Sequence, residues 1–156
     1  MTAAADPLAR LAELGLELPT AVPPVAAYIP AVQSGNHVYV SGQIPIVDGK
    51  LAAEGKVGGE VTPEKAKELA RRCALNALAA IDNLVGLRRV VKVVKVVGFV
   101  ASAEGFTGQP AVINGASELF GEVFGESGRH ARSAIGVAEL PLGAPVEVEV
   151  IVEVTS

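Results

Sequence analysis

From Val146 to Val154 the chain alternates strictly, with valine at every even-numbered position and Glu147, Glu149, Ile151 and Glu153 between them. A period of two places the valines on one face of a strand and the acids with Ile151 on the other. A different period governs residues 62 to 84. Ala66, Leu69, Ala70, Cys73, Ala77, Ile81 and Leu84 recur at three and four residues, which predicts a helix with one apolar stripe and with Lys65, Lys67, Glu68, Arg71 and Arg72 largely in water. Thr62 as N-cap, Pro63 at the first helical position and Glu64 in the first turn mark its start. Cys73 lies on the stripe and so reads as a buried, inert thiol.

The same reading extends to the rest of the chain. Asp6-Pro7 with Leu8, Leu11, Leu14 and Leu16 predicts a short capped helix that ends near Gly15, and Pro19, Pro23 and Pro24 then predict an extended run from Leu18 to Pro24. Tyr28–Val32 and His37–Gln43, separated by Ser34-Gly35-Asn36, predict a hairpin. Pro45 to Gly59 reads as a loop with a short strand near Lys50-Leu51. Val90–Val100 is β-branched and strand-like. Pro110–Phe124 is a second amphipathic helix, with Val112, Ile113, Ala116, Leu119, Phe120 and Val123 on its apolar side. Gly125 and Gly128 lead out of it to a strand over Arg132–Ala138. The order is helix, ββ, α, β, α, ββ: an α+β protein with two helices on one face of a mixed sheet. Two helices cannot cover both faces, so the other face is expected to be solvated or packed against another copy of the chain.

The 156 residues fit one main domain, 25–156, preceded by the N-terminal helix and extended segment, 1–24. Half the residues are apolar and 19% are charged, the balance of a globular protein and not of a disordered one. The net charge of −4 and the absence of any lysine or arginine block longer than two residues weigh against nucleic acid as a partner. One cysteine excludes an internal disulfide, and two separated histidines, His37 and His130, argue against a metal centre. The start of the chain lacks the basic-then-apolar pattern of a secretory leader, and Val90–Ala101, interrupted by Lys92 and Lys95, is too short to span a bilayer. A cytoplasmic protein without membrane contact is the expectation.

One residue stands out chemically. Arg132 lies in an otherwise uncharged strand, Arg132-Ser133-Ala134-Ile135-Gly136-Val137-Ala138. A guanidinium on a rigid strand offers a planar fork that matches a carboxylate, although an ion pair or a snorkelling surface arginine fits the same pattern. His130, two residues earlier, falls on the same side if the strand extends that far. The alternating acids of Val146–Val154 read either as a solvated sheet face or as a subunit interface with an acid beside a site.

The segments YIPAVQSGNHVYVSGQIP (28–45), NGASELF (114–120) and RSAIGVAELPLGAPVEVE (132–149) resemble the RidA, or YjgF, family of enamine/imine deaminases. The resemblance implies a chorismate-mutase-like ββαβαββ subunit, a homotrimer with an inner barrel, and clefts between neighbouring subunits. It implies hydrolysis of small enamines or imines of the 2-aminoacrylate type to 2-keto acids and ammonia, with no cofactor. Carried over by position, Arg132 would clamp the substrate carboxylate and Glu147 would stand near the attacking water. Tyr28, Ser41, Gly42 and Asn114 would line the cleft.

The chain also departs from the family pattern. Ala134 replaces a cysteine found in some members, leaving only its backbone carbonyl to serve there. Pro24-Val25-Ala26-Ala27 lacks the isoleucine-glycine-proline entry that precedes the tyrosine in the deaminating type. These features mark a divergent branch. Two other functions compete with the deaminase: a non-catalytic binder of small keto acids that uses the same arginine, and an RNA-acting protein, against which the acidic balance argues.

Overall fold

A computed structural model describes residues 6–21 and 27–156. Helix α1 (Pro7–Glu13) leads to hairpin strands β1 (Ala31–Ser34) and β2 (His37–Gln43), followed by the small hairpin β3 (Ile46–Val47) and β4 (Lys50–Leu51). Helix α2 (Pro63–Val85), strand β5 (Val90–Ala101), helix α3 (Gln109–Phe124), strand β6 (Ala131–Val137) and strand β7 (Val146–Val154) complete the chain. The main sheet has five strands in the order β1-β2-β7-β5-β6; β5 and β6 run parallel and the other neighbours antiparallel. The protein is thus the mixed α+β fold expected, with β3–β4 as a second, separate sheet.

The local signals explain most of these elements. Thr62 Oγ1 accepts the backbone N–H of Lys65 and Pro63 opens α2, an N-cap of the kind that contributes about 1 kcal/mol. Asp6 caps α1 in the same way, through the N–H of Leu8, and Leu11 of α1 is buried in the common core. The strand before the hairpin turn begins later than expected, at Ala31; Tyr28 lies in a bend ahead of it because Pro30 withholds a ladder donor. The extended run expected at Leu18–Pro24 carries neither helix nor strand through Ala21, and its remainder lies outside the described residues. Lys67, Arg71 and Arg72 are only half-exposed: Lys67 pairs with Glu118 and Arg71 with Glu122 across to α3, while Arg72 Nε donates to the carbonyl of Ile46.

The even-numbered valines of β7 are fully buried and lie beneath α2, while Glu147, Glu149, Ile151 and Glu153 are half-buried on the opposite face. Each such valine contributes roughly 1.5–3 kcal/mol through removal from water. Both long helices approach closely because two glycines lack side chains. A Cβ on Gly98 of β5 would lie 2.5 Å from Ile113 Cδ1 of α3, and one on Gly115 of α3 would lie 2.0 Å from the carbonyl oxygen of Lys67 in α2. Cys73 sits at the centre of the core, where burial, and secondarily the charge of Glu147, pushes its thiol well above the ordinary range. No helix among the described residues is long and apolar enough to cross a membrane.

Among the described residues no helix lies across the opposite sheet face. Val32, Tyr39 and Ile135 are exposed on it, and the register places Val32, Tyr39, Ile151 and Lys95 in one row and Glu147, Phe99 and Ile135 in another.

Candidate functional site

The parallel β5–α3–β6 crossover sets α3 against β6, which is the last strand of the sheet. Arg132 pairs with Val96, which is wholly buried and pairs in turn with Val150, so the arginine points to the helix-covered face. On α3, Pro110, Asn114 and Ser117 stand at i, i+4 and i+7 and therefore share the surface that the guanidinium meets. Arg132 Nη1 donates to Asn114 Oδ1 at 2.7 Å and to Ser117 Oγ at 3.2 Å, and Nη2 reaches the carbonyl of Pro110 at 3.4 Å. Among the described residues no carboxylate lies within ion-pair distance of it. A guanidinium has five N–H groups; here Nη1 is committed to neutral acceptors, while Nε and the outer edge of Nη2 are left as a fork. Ala134, two residues on, packs its methyl against the core and adds no polar side-chain atom.

The other residues singled out in the sequence gather elsewhere. Ser41 Oγ donates to the carbonyl of Ile29 at 2.8 Å, and the Ser41 N–H donates to Pro30, which ties the end of β2 to the segment carrying Tyr28. The β2–β7 register slips between Val40 and Gln43, so Gly42 sits at an irregularity where Glu147 leans over it. A Cβ at Gly42 would lie 2.3 Å from Glu147 Oε1. Glu147 makes no side-chain hydrogen bond to any described residue, and burial, reinforced by Glu149, raises its carboxyl above the ordinary carboxylate value. Tyr28 is 57% exposed.

Arg132 and Glu147 therefore lie on opposite faces of one sheet, with β5 between their strands. The subunit holds two half-constellations: Arg132, Asn114 and Ser117 on one side, Ser41, Gly42 and Glu147 on the other, with Tyr28 ahead of β1 in the segment that Ser41 ties down. A cavity of about 1020 Å³ lies between Gly15–Ala21, the β3–β4 hairpin and α2; Tyr28 and Gly42 border it, whereas Arg132 and Glu147 do not. Ser117, which also meets His130 Nε2 at 2.9 Å, is not singled out by the sequence, although the i, i+4, i+7 spacing from Pro110 through Asn114 contains its signal.

This fold finds close counterparts. The family described as Endoribonuclease L-PSP matches residues 19–154, and the chain belongs to that family, also known as YjgF or RidA. It is 45% identical to protein TCP17 of Trypanosoma cruzi over 95% of this chain and 94% of that one. It is 34% identical to a 2-iminobutanoate/2-iminopropanoate deaminase of Dermatophagoides farinae, over 88% of this chain and 93% of the relative. The crystal structure of a protein of unknown function from Agrobacterium tumefaciens superposes with a TM-score of 0.88 at 47% identity, covering 94% of this chain and 91% of that one.

Proposed function

We propose that this protein hydrolyses small enamines and imines of the 2-aminoacrylate type to 2-keto acids and ammonia. The reaction takes place in a homotrimer whose open sheet faces line an inner barrel, in clefts where Arg132 of one subunit meets Glu147 of the next. The carrying observation is the guanidinium of Arg132, held by three neutral acceptors and left without a carboxylate partner among the described residues. A preorganised fork of this kind gains about 1.5–3 kcal/mol from a bound carboxylate as a charge-assisted pair. Likeness to the mite deaminase and the exposed Val32, Tyr39 and Ile135 support the same reading.

The chemistry consumes only water, an enamine first taking a proton from solvent at its terminal carbon to become the iminium. Glu147, ionised, accepts a proton as water adds to the iminium carbon, forming a carbon–oxygen bond and leaving a tetrahedral carbinolamine. The proton then passes to nitrogen, the carbinolamine hydroxyl gives its own proton to Glu147 and through it to solvent as the carbonyl forms, and the carbon–nitrogen bond breaks to release ammonia. A positioned general base of this type contributes about 10²–10⁴ in rate. Arg132 fixes the carboxylate and hence the carbon presented to water, while Tyr28, Ser41 and the bare backbone at Gly42 shape the wall of the cleft. No cofactor enters the balance.

Imines released by a threonine dehydratase provide the test. The wild type accelerates ammonia release over the spontaneous rate, and Arg132→Ala returns it to that rate while sedimenting as a trimer. Normal turnover by the variant, or sedimentation of the wild type as a single subunit, sinks the proposal. Binding of 2-oxobutanoate without ammonia release replaces it with the non-catalytic binder.

A further inference from the structure

Beside Arg132 the hydrogen bonds form a directed chain. His130 Nδ1 lies 2.6 Å from the carbonyl oxygen of Gly128, and a carbonyl only accepts, so Nδ1 carries the proton. In the neutral ring Nε2 then presents a lone pair, 2.9 Å from Ser117 Oγ, and the serine proton is directed at it. With that proton committed, the lone pairs of Ser117 Oγ face Arg132 Nη1 at 3.2 Å. The ring itself is held edge-on to Phe120, a fully buried residue of α3, with centroids 6.0 Å apart and an interplanar angle of 88°. The hydroxyl of an unconstrained serine rotates among several directions; this one has a single arrangement that serves both neighbours.

From this geometry we infer that His130 and Ser117 are positioning residues that aim the carboxylate fork of Arg132. Both Nη1 hydrogens are consumed by Asn114 and Ser117, which fixes the plane of the guanidinium and turns its Nε–Nη2 edge outward. Without Ser117 the guanidinium keeps the Asn114 bond and the long 3.4 Å bond from Nη2 to the Pro110 carbonyl, which restrains its plane only weakly; the Ser117 bond, whose direction His130 dictates, removes the remaining freedom. The role rests on the proposed function of Arg132, and the experiment separates the two.

The test is the affinity of 2-oxobutanoate by calorimetry, alongside KM and kcat for the dehydratase-generated imine. His130→Ala and Ser117→Ala each raise Kd and KM about five- to tenfold, the size of one misplaced hydrogen bond, with kcat within about twofold of wild type. Ser117→Thr, which keeps the hydroxyl, and His130→Gln, which keeps an acceptor towards it, recover most of the loss. A merely structural role predicts instead equal losses in the conservative variants, in step with a lowered Tm. Wild-type Kd and KM in both alanine variants overturn the inference while leaving the Arg132 reading intact if Arg132→Ala still abolishes binding. Nitrogen NMR of the imidazole reads the geometry independently of any activity. A neutral ring protonated at Nδ1 supports the chain of donations, and one protonated at Nε2 overturns it.

Discussion

Asn114 Oδ1 accepts a hydrogen bond from Arg132 Nη1 at 2.7 Å, the shortest of the three contacts that hold the guanidinium. The bond joins α3 to the edge strand β6, and it depends on the absence of a side chain at Gly98, which lets Ile113 settle on β5 and brings its neighbour Asn114 within reach. The amide is neutral, so it fixes the fork without cancelling its charge.

Neutrality at position 114 is therefore testable. Asn114→Ala loses a bond and raises KM about tenfold; Asn114→Asp keeps the shape but places a carboxylate against Arg132 and competes with the substrate for it. The aspartate variant is expected to bind 2-oxobutanoate more weakly than the alanine variant, and titration calorimetry of the two compares them directly. The reverse order would show that orientation alone matters.

Gly42 and Glu147 supply a second test. A methyl group at position 42 collides with the far end of a flexible side chain, so Gly42→Ala folds but pushes the Glu147 carboxylate from its place. Loss of a placed base predicts a fall in kcat of about 10²-fold, matching Glu147→Gln, with 2-oxobutanoate affinity nearly preserved. Steady-state kinetics with a melting curve separates this from misfolding. Unchanged kcat in Gly42→Ala would remove Glu147 from the mechanism.

The pH dependence follows from the surroundings of Glu147. Burial first, and the Glu149 charge second, raise its carboxyl above the ordinary value, and the base works only when ionised. The rate thus falls as pH drops through this group. Glu149→Gln takes away a like charge, which eases ionisation and moves the acid limb of kcat/KM to lower pH. Glu147→Gln abolishes that limb. A limb that stays in place in Glu149→Gln assigns it to another group.

Local patterns carried most of the fold. β7 spans Val146–Val154 as its alternation predicts, and Thr62-Pro63 and Gly125 bound the two long helices because capping is a short-range matter. β1 starts later than its pattern predicts because Tyr28 and Ile29 have strand propensity, while only the tertiary arrangement lets the hydroxyl and N–H of Ser41 tie down the carbonyls of Ile29 and Pro30. The chemistry was visible as residue types: an arginine in an uncharged strand, an acid among valines. Their distribution over two faces was not, because it depends on which strand lies between β6 and β7, and strand order is a non-local property. His130 shows the same limit, since its partner Ser117 is on another element.

The opposite placement of Arg132 and Glu147 yields the sharpest prediction. If the working site combines Arg132 of one subunit with Glu147 of the next, Arg132→Ala and Glu147→Gln are each inactive alone yet complement each other in mixed trimers. In a random mixture, a cleft is intact when its arginine comes from the Glu147→Gln chain and its glutamate from the Arg132→Ala chain. That occurs in roughly a quarter of clefts in a closed ring of like interfaces. Refolding the two variants together should restore roughly this share of wild-type ammonia release, whereas mixing them without subunit exchange restores none. A site built within one chain contains a defect in every copy and cannot be rescued, so persistent inactivity of verified mixed trimers would eliminate the shared cleft.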